Sequence, residues 1–179
     1  MKIFIIGPGG VGKSTAGKIL AKKLEYDLID LDQEYCKRIQ NIGIFIHVYG
    51  YEKYCYKNSE LFYQLLEEKD KKKNIVFILS SGFLAHEGFN NLIKKHRQTI
   101  QEKGLSLLLL PSKSLEESTT IVVKRQMKRG LNLDLASEKQ KFIERFSIYK
   151  QFGDIQIFSY QNPKIIALEM FNKIKTYDL

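Results

Sequence analysis

The densest chemistry in the chain lies near its start, in Gly7-Pro8-Gly9-Gly10-Val11-Gly12-Lys13-Ser14. This run fits G-x-x-x-x-G-K-[ST], in which a glycine-rich turn aims backbone N–H groups at phosphate oxygens. Gly7, Gly9, Gly10, Val11 and Gly12 form the cradle. Lys13 reaches toward β- and γ-phosphates, the Ser14 hydroxyl suits Mg²⁺, and Thr15 follows in the same turn. An apolar strand candidate, Ile3–Ile6, precedes the run, and a helical pattern opens at Gly12. The helix N-terminus adds a favourable dipole for anions. A plain strand-to-helix turn is the weaker explanation, because spacing, context and basic residue all agree. The expected ligands are ATP and Mg²⁺.

Phosphoryl transfer is mostly positioning and charge stabilisation, so the chain must also supply metal ligation, cations and a seat for an acceptor. Asp30-Leu31-Asp32 places two carboxylates on one face of an extended segment. Asp30 is suited to hold Mg²⁺, directly or through water, and Asp32 to orient or deprotonate an acceptor hydroxyl. Capping of a following helix explains the same letters. Ile75–Leu79 ends in Ser80-Ser81-Gly82, either a substrate loop or an ordinary turn. Ser80 or Ser81 could hold a metal-bound water, and Gly82 admits close backbone approach. Arg125, Lys128 and Arg129 form a basic segment able to close over ATP and bring an arginine to the transferring group. Arg145 sits at the edge of an apolar stripe, where it either snorkels to water or grips an anion.

Positioning these groups requires a scaffold. Strand candidates Ile3–Ile6, Asp27–Ile29, Ile75–Leu79, Leu105–Leu110 and Ile155–Phe158 alternate with helical patterns, which predicts an α/β fold with a parallel sheet covered on both faces. The whole chain, 1–179, reads as one domain. Residues 33–73 form a Tyr- and charge-rich insertion, expected as an acceptor-binding subdomain over the carboxyl edge of the sheet. Residues 124–137 are expected as a lid.

The formal charge is +9, from 29 Lys and Arg against 20 Asp and Glu. Scattered lysines explain it as a solvated surface or as attraction for anionic ligands. Nucleic acid is disfavoured, because no aromatic residues interleave the basic clusters. Cys36 and Cys55 lack metal-ligand spacing. Cys36 reads as a packing residue, and His47, His86 and His96 as structural or surface residues. No apolar run is long enough to span a bilayer, and no signal peptide is apparent. A cytoplasmic monomer is the expectation.

With these pieces assembled, the chain resembles the shikimate kinase family over nearly its whole length. The anchors are Gly7 to Thr15, Asp30 to Glu34, Arg129, and Glu144-Arg145 with Tyr149. The resemblance implies a five-stranded parallel sheet in the order 2-3-1-4-5. It implies Asp30 as the Mg²⁺-associated aspartate and Asp32 as the contact to acceptor hydroxyls. It implies Arg129 as the lid arginine and Arg145 as the grip on the shikimate carboxylate. The expected activity is transfer from ATP to a hydroxyl of a small anionic metabolite, with shikimate the first candidate. A nucleoside or nucleotide kinase and a nucleotide-binding sensor are the alternatives. The chain departs from the family where an aromatic-Arg pair becomes Tyr54-Cys55, with Lys57 nearby as a substitute cation. The family's triple glycine becomes Ser80-Ser81-Gly82, leaving Ser81 and Gly82 to meet the acceptor, and its lid Arg-Pro becomes Arg129-Gly130.

Overall fold

A computed structural model describes residues 1–69, 74–86, 88–128 and 133–177. Five parallel strands, β1 (Lys2–Ile6), β2 (Asp27–Asp30), β3 (Ile75–Ile78), β4 (Leu105–Leu110) and β5 (Ile155–Phe158), lie in the order β2-β3-β1-β4-β5. The inner strands β3 and β4 coincide with solid apolar runs because they are buried on both faces, as central parallel strands are, whereas edge strand β2 leaves Asp27 and Leu28 exposed. All six residues of β4 are buried.

Alternation along the strands divides the core into two layers. On one face, Ile3, Ile5, Val76, Ile78, Leu107 and Leu109 pack with Ala16 and Leu20 of α1 (Lys13–Leu24). Ile166, Met170 and Ile174 of α8 (Pro163–Tyr177) complete this layer. On the other face, Phe4, Ile6, Phe77, Leu79, Leu108 and Leu110 meet residues from α4 (Tyr51–Glu68), α5 (Asn90–Lys103), α6 (Leu115–Met127) and α7 (Leu135–Tyr149). Phe62 of α4 is the hub there, with ring centroids 5.3 Å from Phe77 and 4.8 Å from Phe83.

The insertion after β2 folds as α2 (Leu31–Arg38), α3 (Ile42–Tyr49) and α4, and α4 itself packs on the sheet face through Phe62, whose ring meets Phe4 and Phe77. No residue of α3 is buried, although seven of its eight residues are Ile, Phe, Val, Tyr or Gly. It rests on its neighbours through Phe45, whose ring meets Tyr35 edge-on at 5.6 Å. Of the expected lid, 124–127 end α6 and 135–137 begin α7, while 129–132 lie outside the described residues.

Candidate active site

The β1–α1 turn fixes the phosphate end. Gly7 has φ +150°, and a Cβ there would stand 2.4 Å from the Leu109 carbonyl oxygen, so β4 excludes any side chain at this point. Lys13 is buried and folds under the turn, donating to the carbonyls of Gly7 (2.8 Å) and Pro8 (2.9 Å). Ser14 opens toward the cleft, and its hydroxyl donates to Asp30 Oδ2 at 2.6 Å. Asp30 ends β2 and also caps α2, its Oδ1 accepting from Gln33 N at 3.3 Å. Capping and pairing with Ser14 therefore use different oxygens of one carboxylate. Two hard oxygen ligands beside the phosphate cradle are the donor set that Mg²⁺ takes.

Gln126 of α6 overlies the cradle, its amide occupying the space a Cβ on Gly9 would need. The same amide donates to Glu138 of α7 at 3.4 Å, and Glu138 is ion-paired with Lys141. Arg125 donates to the Val11 carbonyl at 3.4 Å and to the Tyr160 carbonyl at 2.9 Å, tying α6 to the outer side of the turn. Arg129 lies outside the described residues.

A cleft of about 820 Å³ runs from Pro8, Gly9 and Ser14 past Asp30 and Asp32 to Ser81, Gly82 and Arg145. At its centre Asp32 Oδ1 accepts from the Ser80 hydroxyl at 2.5 Å, and Ser80 accepts from Asn58 Nδ2 at 3.0 Å. Tyr54 stands beside this group, its phenol pKa pushed up by burial and by the Asp32 carboxylate. At the far end Arg145 Nη2 donates to Tyr51 Oη at 3.2 Å, and the buried phenol of Tyr149 donates to the Ser81 carbonyl. Burial pushes the Cys55 thiol up to about 11, so at neutral pH this position contributes no charge.

The cleft thus brings together Pro8, Gly9 and Ser14 of the turn with Asp30, Asp32, Ser81, Gly82 and Arg145. It does not include Lys57, which lies on the solvent face of α4 and pairs with Glu60 at 2.8 Å. Cys55 and Lys57 are two residues apart, about 200° around a helix, so a buried Cys55 turns Lys57 outward. Cys36 is exposed on the cleft wall and does not pack in the core. Sequence reasoning passed over Tyr51 and Asn58 and read His86 only as a structural or surface residue, because the contacts that give them a role span more than twenty residues.

Two histidines are sealed in the layer beneath the cleft. His96 Nδ1 donates to the Phe83 carbonyl (3.2 Å), which can only accept, so Nε2 accepts from Ser59 Oγ (2.8 Å). Burial pushes the His96 pKa down to about 4 and that of His86 to about 3. An unfolded histidine titrates near 6.5, so below that pH the unfolded chain takes up protons that the folded imidazoles refuse. Stability is full above about pH 6.5 and falls as pH drops toward 4. His96 alone is expected to remove roughly 2 kcal/mol between pH 6.5 and 5. Urea melts at pH 7 and 5 measure this, and His96→Phe should shrink the loss by about that amount. An identical pH dependence in the variant would contradict the assignment.

A parallel sheet in the order 2-3-1-4-5, with a glycine cradle after β1 and a carboxylate ending β2, defines a P-loop kinase fold. Solved structures agree. The chain is similar to the shikimate kinase from Acinetobacter baumannii in complex with shikimate, with TM-score 0.76 and 20% identity, covering 99% of this chain and 94% of that one. It is also similar in fold to deoxyadenosine kinase from M. mycoides with bound dATP, with TM-score 0.68 and 18% identity, covering 98% and 100%. A family model for shikimate kinase matches residues 9–175, and the chain belongs to that family. It is 29% identical over 179 residues to the shikimate kinase of Buchnera aphidicola subsp. Schizaphis graminum, covering 97% of this chain and 95% of that protein. It is 26% identical to the shikimate kinase of Wigglesworthia glossinidia brevipalpis, covering 96% and 95%. Among the described residues no helix is long and apolar enough to cross a membrane.

Proposed function

We propose that this chain transfers the γ-phosphoryl group of ATP, with Mg²⁺, to a hydroxyl of a small anionic metabolite, shikimate being the first candidate. One observation carries the reading. Asp32 and Arg145 face a single cleft whose other end is the phosphate cradle. An acid bound at Arg145 would present its ring hydroxyls toward Asp32. The Asp32 carboxylate, held by Ser80, would accept the hydroxyl proton as oxygen attacks phosphorus. Lys13 would leave its carbonyl partners and offset charge on the phosphate oxygens. Mg²⁺, held by Ser14 and Asp30, would supply further charge neutralisation on the phosphates. Lys57 takes no part in this reading, because it points to solvent.

The nucleotide-kinase alternative gains nothing from the insertion. Arg38, the only arginine in 33–73, is paired with Glu34 and Glu68, both at 2.7 Å. The test is a coupled ADP-release assay over shikimate, related polyol acids and nucleosides. Shikimate or a related acid should stimulate release at least about a hundredfold over the acceptor-free rate. Stimulation by nucleosides alone, or by nothing, would overturn the proposal.

A further inference from the structure

The far end of the cleft contains a linked group that the proposed reaction leaves unexplained. Tyr51 Oη has Arg145 Nη2 at 3.2 Å and His86 Nδ1 at 2.8 Å as its close partners, and the Cys55 thiol beside it as a weaker one. His86 is only 3% exposed, and its ring packs edge-on against Tyr51 with centroids 5.5 Å apart. Its Nε2 is buried with no hydrogen-bond partner among the described residues. Gly82 is what admits this arrangement. A Cβ there would stand 2.9 Å from His86 Cε1 and 3.0 Å from Tyr51 Oη.

The hydrogen count gives this group its property. A neutral imidazole carries one N–H. With the proton on Nε2, Nδ1 accepts the Tyr51 O–H, and the phenol oxygen takes the Arg145 hydrogen bond. With the proton on Nδ1, the histidine donates to the phenol oxygen, and the Tyr51 O–H is released to another acceptor. Because Nε2 has no partner, its surroundings favour neither form through a hydrogen bond. What Tyr51 faces then biases the tautomer, and the other acceptor beside it is the weak one of the Cys55 sulfur. An anion beside Arg145 is the acceptor that would draw the phenol hydrogen.

We propose that Tyr51, positioned by His86, is the second half of the acceptor's anion grip, so that one guanidinium and one phenol hold the carboxylate of a hydroxylated cyclic acid. The inference rests on the kinase reading for the identity of the site, and it assigns the chemistry of the ligand's head group. The phenol stands in the region where Cys55 supplies no charge. Tyr51 is therefore a specificity-determining residue, and His86 a positioning residue that acts through it.

Binding separates this idea from turnover. Shikimate, its methyl ester and cyclohex-1-ene-1-carboxylate, which keeps the acid and lacks the hydroxyls, are titrated into the purified protein by calorimetry or NMR. Wild type should prefer the acid to the ester. Tyr51→Phe should weaken both acids about tenfold to a hundredfold while moving the ester less than threefold. His86→Phe should lower the acid-to-ester preference in the same direction, by about threefold to tenfold. A merely structural defect would weaken acid and ester alike, and that result overturns the proposal. So does an unchanged shikimate affinity in Tyr51→Phe. Wild type that binds neither acid also overturns it, although ATP turnover on another hydroxyl compound would leave the kinase reading standing. The expected selectivities without any ADP release would support the grip and defeat the kinase reading.

Discussion

Lys13→Met is expected to lower acceptor-dependent ADP release by at least about a thousandfold while nucleotide affinity changes far less. The lysine is 8% exposed and spends its hydrogen bonds on the Gly7 and Pro8 carbonyls. Its charge is thus held against the turn that receives the phosphates. Methionine keeps the stem volume, so no void forms beneath the turn, and only the charge and its donors are lost. The interaction that matters strengthens as charge moves onto the transferred oxygens, so the loss should fall on kcat. Single-turnover rates with saturating ATP, beside a nucleotide titration, decide the point. A variant that keeps turnover within tenfold of wild type would remove Lys13 from the chemistry.

Asp32→Asn is the companion experiment at the acceptor end. The amide oxygen still accepts from Ser80, and Ser80 still accepts from Asn58, so the local hydrogen-bond chain survives. A thermal midpoint within a few degrees of wild type is therefore expected. What disappears is the anionic group able to take the acceptor proton. The expected loss in kcat is about a hundredfold to ten-thousandfold, with KM for the acceptor altered much less. Equal losses in kcat for Asp32→Asn and Asp32→Ala would support the proton-acceptor role. Full activity in Asp32→Asn would reduce the residue to a positioning contact.

The donor half of the site is legible in the sequence because it is local. Eight consecutive residues set the turn, and Asp30 comes within 2.6 Å of Ser14 simply by ending the strand that parallel topology brings alongside. The strands were equally plain, since solid apolar runs have few other uses in a chain of this kind. The acceptor half is not local. Tyr51 meets His86 and Arg145 across 35 and 94 residues, and neither spacing follows from any periodic pattern. Lys57 looked like a substitute for the missing arginine because it is near in sequence. Helical geometry, which turns it about 200° away from Cys55, is decisive against proximity along the chain. Cys36 misled in the opposite sense, since a small apolar residue in a helix reads as core until the cleft is seen to run past it.

The two halves of the cleft are also anchored with very different depth. The phosphate turn is set between β1 and β4, where a single methyl group would collide with a strand carbonyl. Any side chain at Gly7 disturbs the sheet itself. The opposite wall includes α3, an eight-residue helix with no buried side chain. Changes at its exposed positions, Ile44 and Val48, cost about half a kilocalorie per mole or less, well within what a folded protein tolerates. The turn proposed to hold the phosphate donor is thus locked to the sheet at Gly7. On the proposed reading, exposed positions on the acceptor wall can change at less cost to the fold than the turn that holds the phosphates.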